Sequence, residues 1–235
     1  TVQLTKTDRD SPDNKLTGAE FTVYRDSNGN KELDADDELV GTLTETGIGV
    51  YKMADLLYGG YFVKETKAPE GFYLDGNAYY FEITEDGKTV TVENEAGKGF
   101  VNAPQVGSLK IIKTSSDGKV EGFSFRVTGP NGYAGVFTTD KNGEIFIENL
   151  RIGEYVVSEV SDGASSAYVL PADKTASVFE GAVTKVEMHN ELRETPKTGD
   201  DSNPALWLAL LGVSAVGATA LGVVGFRKRR KEDAE

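Results

Sequence analysis

The sequence predicts an all-β protein, two tandem β-sandwich domains followed by a single carboxy-terminal transmembrane helix. Three observations carry this. Short apolar or alternating runs such as "EFTVY", "GYFVKE", "YYFEIT", "FSFRV" and "EYVVSE" are separated by the turn dipeptides DG and NG. Segments of the first half recur in the second. Near the end, 23 consecutive residues carry no charge.

Strands come first. No long segment before the tail shows a helical period, and several short strands at this spacing imply sandwiches or barrels. The repeat then divides the strands in two. "KLTGAEFTVY" (15–24) aligns with "KVEGFSFRVT" (119–128), "LLYGGYFVKE" (56–65) with "LRIGEYVVSE" (150–159), and "VQLTKTD" with "LKIIKTS". The expected units are residues 1–105 and 106–193, with "NAPQVG" as a seam too short to allow much bending. A linker over 194–203, a transmembrane helix over 204–226 and a basic cytoplasmic tail over 227–235 complete the plan. The apolar run, at 1.5 Å per residue, reaches about 34 Å and can cross a bilayer's hydrocarbon core. "RKRRK" directly after it holds that end in the cytoplasm, so everything before Pro204 faces outward.

Composition excludes several functions. The net charge is −13, and residues 1–198 alone hold 20 Lys/Arg against 33 Asp/Glu, so no nucleic-acid partner is expected. The chain has no cysteine, hence neither disulfides nor thiol chemistry. No base for a serine or cysteine triad is evident, and the single histidine, His189, has the parity of a solvent-facing residue. The sequence opens at Thr1 without a charged-then-apolar leader, so a secretory signal peptide is expected to have been removed or to lie upstream, and the sequence is read as the carboxy-terminal piece of an exported protein.

Strand parity isolates the candidate site. Side chains alternate between faces, so Val2, Leu4 and Lys6 share one face, and Leu109, Ile111 and Lys113 share the corresponding one. The pattern recurs for Tyr61, Val63 and Glu65, and for Tyr155, Val157 and Glu159. Asn190 lies in line with Val186 and Met188, and Asn102 with Phe100. Each unit therefore aims a Lys, a Glu and an Asn inward. Asn94 competes with Asn102, because it shares parity with Val90 and Val92, and a gapless match of "TVTVEN" with "KVEMHN" pairs it with Asn190.

Burial of an isolated charge favours its neutral form, so the lysine tends toward free amine and the glutamate toward protonated acid. A neutral amine can attack the Asn amide carbon while the carboxyl group moves protons, which gives a Lys–Asn isopeptide and releases ammonia. A buried Lys–Glu pair bonded to Asn, without covalent chemistry, satisfies the same parity.

Two resemblances bear on this choice. The succession "LTKTD", "LTGAEFTVY", "YFVKETKAPEGFYL" and "FVNAPQVGSLKIIK" resembles the Ig-like collagen-adhesin B-type (CnaB), or SpaA-like prealbumin, domains of Gram-positive pilins and adhesins. That resemblance implies isopeptide bonds Lys6–Asn102 and Lys113–Asn190, with Glu65 and Glu159 as proton shuttles. The second unit departs from the pattern, having "SEVSDGASSAYVL" where the first has "KETKAPEGFYL". "TPKTG" (Thr195, Pro196, Lys197, Thr198, Gly199), followed by a polar spacer, apolar span and basic tail, resembles a cell-wall sorting signal, with Thr195 where that family has Leu. It implies cleavage by a sortase between Thr198 and Gly199 and transfer to a peptidoglycan precursor. The protein would span the membrane before cleavage and be wall-attached at the cell surface after it.

The expected function is a non-enzymatic stalk of a surface adhesin or pilin subunit. The rivals are domains that bind a host ligand, and a polymerising shaft pilin bound to other pilin subunits. The Tyr-Pro-Lys-Asn motif that the family uses for polymerisation is absent. No cofactor is required. Calcium is the one metal candidate, since Asp26, Asn28, Asn30, Asp34 and Asp37 fall at positions 1, 3, 5, 9 and 12 of an EF-hand-like loop. Lys31 replaces its glycine, and an Asp replaces its final Glu.

Overall fold

A computed structural model describes residues 1–194. In chain order the first module contains β1 (Val2–Asp8), β2 (Ser11–Lys15), β3 (Glu20–Arg25), β4 (Glu38–Thr42), β5 (Thr44–Gly47), β6 (Val50–Met53), β7 (Gly59–Lys67), β8 (Ala78–Ile83), β9 (Val90–Thr91) and β10 (Phe100–Asn102). One sheet runs β10-β1-β6-β5, with β2 and β9 also on β1, and the other runs β4-β3-β7-β8. The second module contains β11 (Val106–Ser115), β12 (Ser124–Thr128), β13 (Ala134–Thr138), β14 (Glu144–Arg151), β15 (Gly153–Glu159), β16 (Tyr168–Val169), β17 (Lys174–Val178) and β18 (Val183–Leu192). Its sheets run β14-β11-β18-β16 and β13-β12-β15-β17.

Alternation decides which side chains meet between the sheets. In β1, Val2, Leu4 and Lys6 are buried while Gln3 and Thr5 are half-buried, and β15 buries Tyr155, Val157 and Glu159 in the same way. Module one packs Val2, Leu4, Phe21, Val23, Tyr61 and Phe100 into one cluster. Module two packs Leu109, Ile111, Phe125, Val127, Tyr155 and Met188 into another. Phe21 meets Tyr51 and Phe100 edge-on with ring centroids 5.1 and 5.0 Å apart, the geometry ring quadrupoles favour.

In both modules the first and last strands are parallel neighbours, so the chain enters and leaves each sandwich on adjacent strands. In module two the pairing is unbroken from Ser108 opposite Val183 to Ser115 opposite Asn190. In module one it is split. Gln3 stands opposite Thr91, yet Lys6 stands opposite Phe100, so the last strand holds six residues more than β1 over the same interval. The excess forms an excursion closed by Gly99, at φ +83°, where a Cβ would lie 2.6 Å from the Thr5 carbonyl oxygen.

Thr1–Leu192 form one compact unit. Between the modules, Arg151 donates to both oxygens of Asp8, at 2.6 and 3.0 Å, and its guanidinium lies 5.8 Å from the Phe72 ring centre. The Ile152 amide donates to the Gln105 carbonyl, and the Gln105 amide to that of Gly71. Among the described residues no helix is long and apolar enough to cross a membrane. The expected sorting signal (195–199), transmembrane segment (204–226) and basic tail lie outside the described residues.

Candidate functional site

The two sheets bring one Lys, one Glu and one Asn together inside each sandwich. Lys6 and Asn102 come from β1 and β10 of one sheet, and Glu65 reaches across from β7 of the other. Lys113 and Asn190 come likewise from β11 and β18, facing Glu159 on β15. The registers match. Lys6 pairs with Phe100 and Lys113 with Met188, so each Asn lies two residues beyond its lysine's partner. Glu65 pairs with Phe21, and Glu159 with Phe125.

Burial is nearly complete. Lys6 and Glu65 are 0% exposed, Lys113 1% and Asn190 0%. Each lysine Nζ lies 3.9 Å from its glutamate, too far for a hydrogen bond, and donates at 2.8 Å to a main-chain carbonyl, that of Phe100 or Thr114. An aromatic ring flanks each amine, Phe100 at 5.6 Å from Lys6 and Phe123 at 4.4 Å from Lys113. Asn102 Nδ2 donates to both Glu65 oxygens at 2.8 Å, whereas Asn190 Nδ2 reaches only Glu159 Oε1, at 2.6 Å. Asn102 Oδ1, Asn190 Oδ1 and Glu159 Oε2 are buried without a partner. An unmet buried acceptor costs about 1–3 kcal/mol, so three of them in two small sites are a stored penalty.

Electrostatics follow the burial. Removal from water pulls Lys6 down to about 8, against the opposing pull of Glu65. Roughly a tenth of such an amine is unprotonated at pH 7. Burial also lowers Lys113, and it raises Glu65 and Glu159 above the usual carboxylate range despite the Asn and Lys beside them. Burial therefore shifts each site toward a neutral amine beside a carboxylic acid, with an amide carbonyl free to take a proton or hydrogen bond.

Asn94 occupies a different place. Its Oδ1 accepts from the Val101 amide at 2.6 Å, and its Nδ2 donates to the Val101 carbonyl at 2.9 Å and to Asp75 Oδ2 at 2.8 Å. No hydrogen bond links it to Lys6 or Glu65. The six extra residues of the final strand explain this: an even insertion leaves Asn94 and Asn102 with the same parity, but pairing with β1 resumes only at Phe100, so Asn102 and not Asn94 falls two residues past the partner of Lys6.

In the acidic loop, Asp26 accepts from the amides of Gly29 and Lys31, Asp37 from those of Ser27 and Asp34, and Asp34 from that of Asp36. Asn28 and Asn30 donate to Asp34 and accept from the amides of Asn30 and Glu32. The spacing that suggests calcium here produces Asx turns. Among the described residues no three His, Cys, Asp or Glu side chains gather as a metal site. His189 is half exposed, against Thr114 and Glu191.

Sequence reasoning passed over Asp75, Asp8 and Arg151. The Asp75 amide donates to Glu65 Oε2 at 2.8 Å. Asp75 follows "GFYL" in a DG turn, which reads only as a loop signal. Arg151 stands where the repeat has Leu57, and that single departure was the available sign.

Two sandwiches with a buried Lys-Glu-Asn cluster between first and last strands define a class of small prealbumin-like β modules. A family model described as a SpaA prealbumin-like fold domain matches residues 1–97 and again 107–192, and the chain belongs to that family, the modules of Gram-positive pilins and adhesins. Among solved structures, the Bacillus anthracis TIE protein is 25% identical with a TM-score of 0.61, over 80% of this chain and 33% of that one. A C-terminal fragment of the pilus adhesin SpaC from Lactobacillus rhamnosus GG shares the fold, at 19% identity and a TM-score of 0.50, over 83% and 99%. Colossin-A of Dictyostelium discoideum is 26% identical over 137 residues. The chain spans 1% of Colossin-A and a third of the TIE protein.

Proposed function

We propose that this chain is the stalk region of a sortase-anchored surface adhesin or pilin subunit, and that each module, residues 1–105 and 106–193, is locked by an intramolecular Lys–Asn isopeptide bond. The observation that carries the reading is the duplicated buried trio, in the same register twice, with an unpartnered amide oxygen in each copy.

The chemistry balances without an added reagent. The neutral lysine Nζ attacks the Asn Cγ and forms a C–N bond, while the protonated glutamate hydrogen-bonds the oxygen that becomes negative. Presenting Oδ1 to the acid requires the amide to turn over from its present Nδ2-to-carboxyl arrangement. The glutamic acid then delivers its proton to Nδ2, and the carboxylate so formed takes one from the attacking nitrogen. The C–Nδ2 bond breaks, ammonia leaves, and the carboxyl group returns to its starting state. Each bond forms once, so the chain is not an enzyme.

The placement suits a load-bearing part. Force entering at Thr1 reaches Lys6, crosses to Asn102 and leaves toward Val106, so that residues 7–101 carry none of it; Lys113 and Asn190 do the same for 114–189. Beyond module two, a sortase would cleave between Thr198 and Gly199 and join Thr198 to a peptidoglycan precursor at the cell surface. Before that step, residues 204–226 would hold the protein in the membrane.

The test is an accurate intact mass of residues 1–194, which contain both cores and all four sheets. Each linkage removes roughly 17 Da as ammonia, and about 34 Da for both. An unshifted mass for the fully folded protein overturns the reading. A second reading, in which the modules also take another pilin subunit or a host ligand, is favoured by Leu57 and Tyr58, exposed by 68% and 62%. Their repeat counterparts, Arg151 and Ile152, both touch module one. Sedimentation of wild-type and Leu57→Ser/Tyr58→Ser protein over a concentration series reads self-association through that tip.

A further inference from the structure

We propose that Asp75 and Asn94 are positioning residues for the module-one cross-link, and that together they hold Asn102 on Glu65 across the break in the final strand. The proposal rests on the isopeptide reading above and deepens it.

The geometry is a closed circuit. Asn102 donates to Glu65, whose Oε2 accepts from the Asp75 amide at 2.8 Å. Asp75 Oδ2 accepts from Asn94 Nδ2 at 2.8 Å and from the Tyr79 hydroxyl at 2.6 Å. Asn94 bonds both the amide and the carbonyl of Val101, the residue before Asn102. Every link but one is a hydrogen bond, and the last is the Val101–Asn102 peptide.

The circuit answers a need that only module one has. In module two β18 runs unbroken beside β11, and strand pairing alone sets Asn190 two residues past the partner of Lys113. In module one the excursion after Thr91 removes that continuity, leaving β10 three residues long. A strand so short is weakly fixed in register, and a slip by one residue would turn Asn102 away from Glu65. The Asn94 side-chain amide supplies the donor and acceptor of a missing strand neighbour. Asp75 ties that side chain to the carboxyl group that must meet Asn102. Module two has no such circuit at its acid: Glu159 Oε2 accepts no hydrogen bond.

The Asp75 charge gives the circuit an electrostatic signature. It raises both Lys6 and Glu65, although burial is the largest influence on each. Removing the charge should move both limbs of the pH–rate profile for cross-linking toward lower pH, since the reaction needs the amine free and the acid protonated.

The experiment is a pulse of cell-free synthesis of residues 1–194, sampled over time, quenched in acid and peptide-mapped. The Lys6–Asn102 and Lys113–Asn190 junctions are then counted separately in one preparation, with module two as the internal control. Asn94→Ala and Asp75→Ala should slow module-one linkage by about tenfold or more while module two keeps its wild-type rate. Asp75→Asn, which keeps an acceptor oxygen but no charge, should recover most of the rate, with its pH profile displaced acidward. A general folding defect would slow linkage without moving the profile. Wild-type rates and an unmoved profile in all three variants overturn the proposal while leaving the isopeptide reading intact. Absence of both junctions from the wild-type protein overturns both.

Discussion

The Arg151 guanidinium forks onto the Asp8 carboxylate, joining the end of β14 in module two to the end of β1 in module one, 143 positions apart. The Asp8 side chain is 1% exposed and that of Arg151 21%. Burial by itself would raise Asp8, but the bonds from Arg151 and from the Asp10 amide outweigh it and hold the group below its ordinary value. Arg151→Ala leaves a buried carboxylate without its cation, which typically costs about 3–5 kcal/mol. The expected result is loss of module docking with both sandwiches intact. Spin labels on Lys88 and Lys141, exposed sites in different modules, should report one narrow distance in wild type and a broad distribution in the variant. Because Asp8 is depressed in the folded state, its contribution is full above the unfolded value and is lost as pH falls through the folded one. The clamp should therefore hold at neutral pH and loosen only below about pH 4.

Glutamate is the member of each trio whose proton traffic can be removed with little change of shape. Glu65→Gln should abolish one ammonia loss and leave the Lys113–Asn190 link in place. Glu159→Gln should do the reverse, and the double variant should keep its full unmodified mass. The readout is intact mass with peptide mapping. A linked Glu65→Gln module one would show that the carboxyl group is not the proton carrier.

Much of this arrangement is legible from strand parity. Lys6 stands out because a charge at period two from Val2 and Leu4 has nowhere to point but the core, and the repeat supplies Lys113 as a second instance. Glu65 and Glu159 read the same way. The choice of asparagine does not follow from parity, since Asn94 and Asn102 share it and the six residues inserted between Thr91 and Phe100 change the register with β1 without changing the face. Asp75 is invisible for another reason: it contacts Glu65 through its main-chain amide, which every residue except proline has. The Asp8–Arg151 pair leaves no local pattern because its partners meet only when two modules are assembled. The acidic loop shows the opposite case, where spacing is clear but side-chain direction is not, and its oxygens turn to their own backbone.

A chain that cannot close its first cross-link exposes the titration of the trio. In Asn102→Ala, Lys6 and Glu65 remain buried as unlinked groups. Glu65, raised in the folded state, makes stability fall as pH climbs from its unfolded value near 4.5 toward the raised folded value. Lys6, lowered to about 8 from 10.5, makes stability rise with pH between those two values, where the unfolded chain binds the extra proton. Denaturant unfolding of Asn102→Ala across pH 4 to 11, a range set by ordinary carboxyl and amine values, should show a decline followed by a recovery. A flat curve would mean that the pair is solvated and that burial does not shift its titration. A linked wild-type module would have no free Lys6 amine and should lack the alkaline recovery.

The parallel pairing of β1 with β10 sets the mechanical outcome. With Lys6 joined to Asn102, tension between Thr1 and Val106 passes through the new bond and cannot peel the strands between them. Without it, the same pull must shear three paired positions at Lys6, Thr7 and Asp8 and two more at Val2 and Gln3. Stretching a single linked chain should therefore give no unfolding step from module one. Lys6→Met should release the 95 residues between positions 6 and 102, about 330 Å of contour at 3.5 Å each. In solution the same link closes a loop of nearly 100 residues, which by the chain-entropy argument used for disulfides stabilises the fold by roughly 4–5 kcal/mol. Lys6→Met should accordingly melt earlier than wild type, with module two unchanged. A full-length unfolding step in wild type under force would remove the load-bearing role, whatever the mass of the protein.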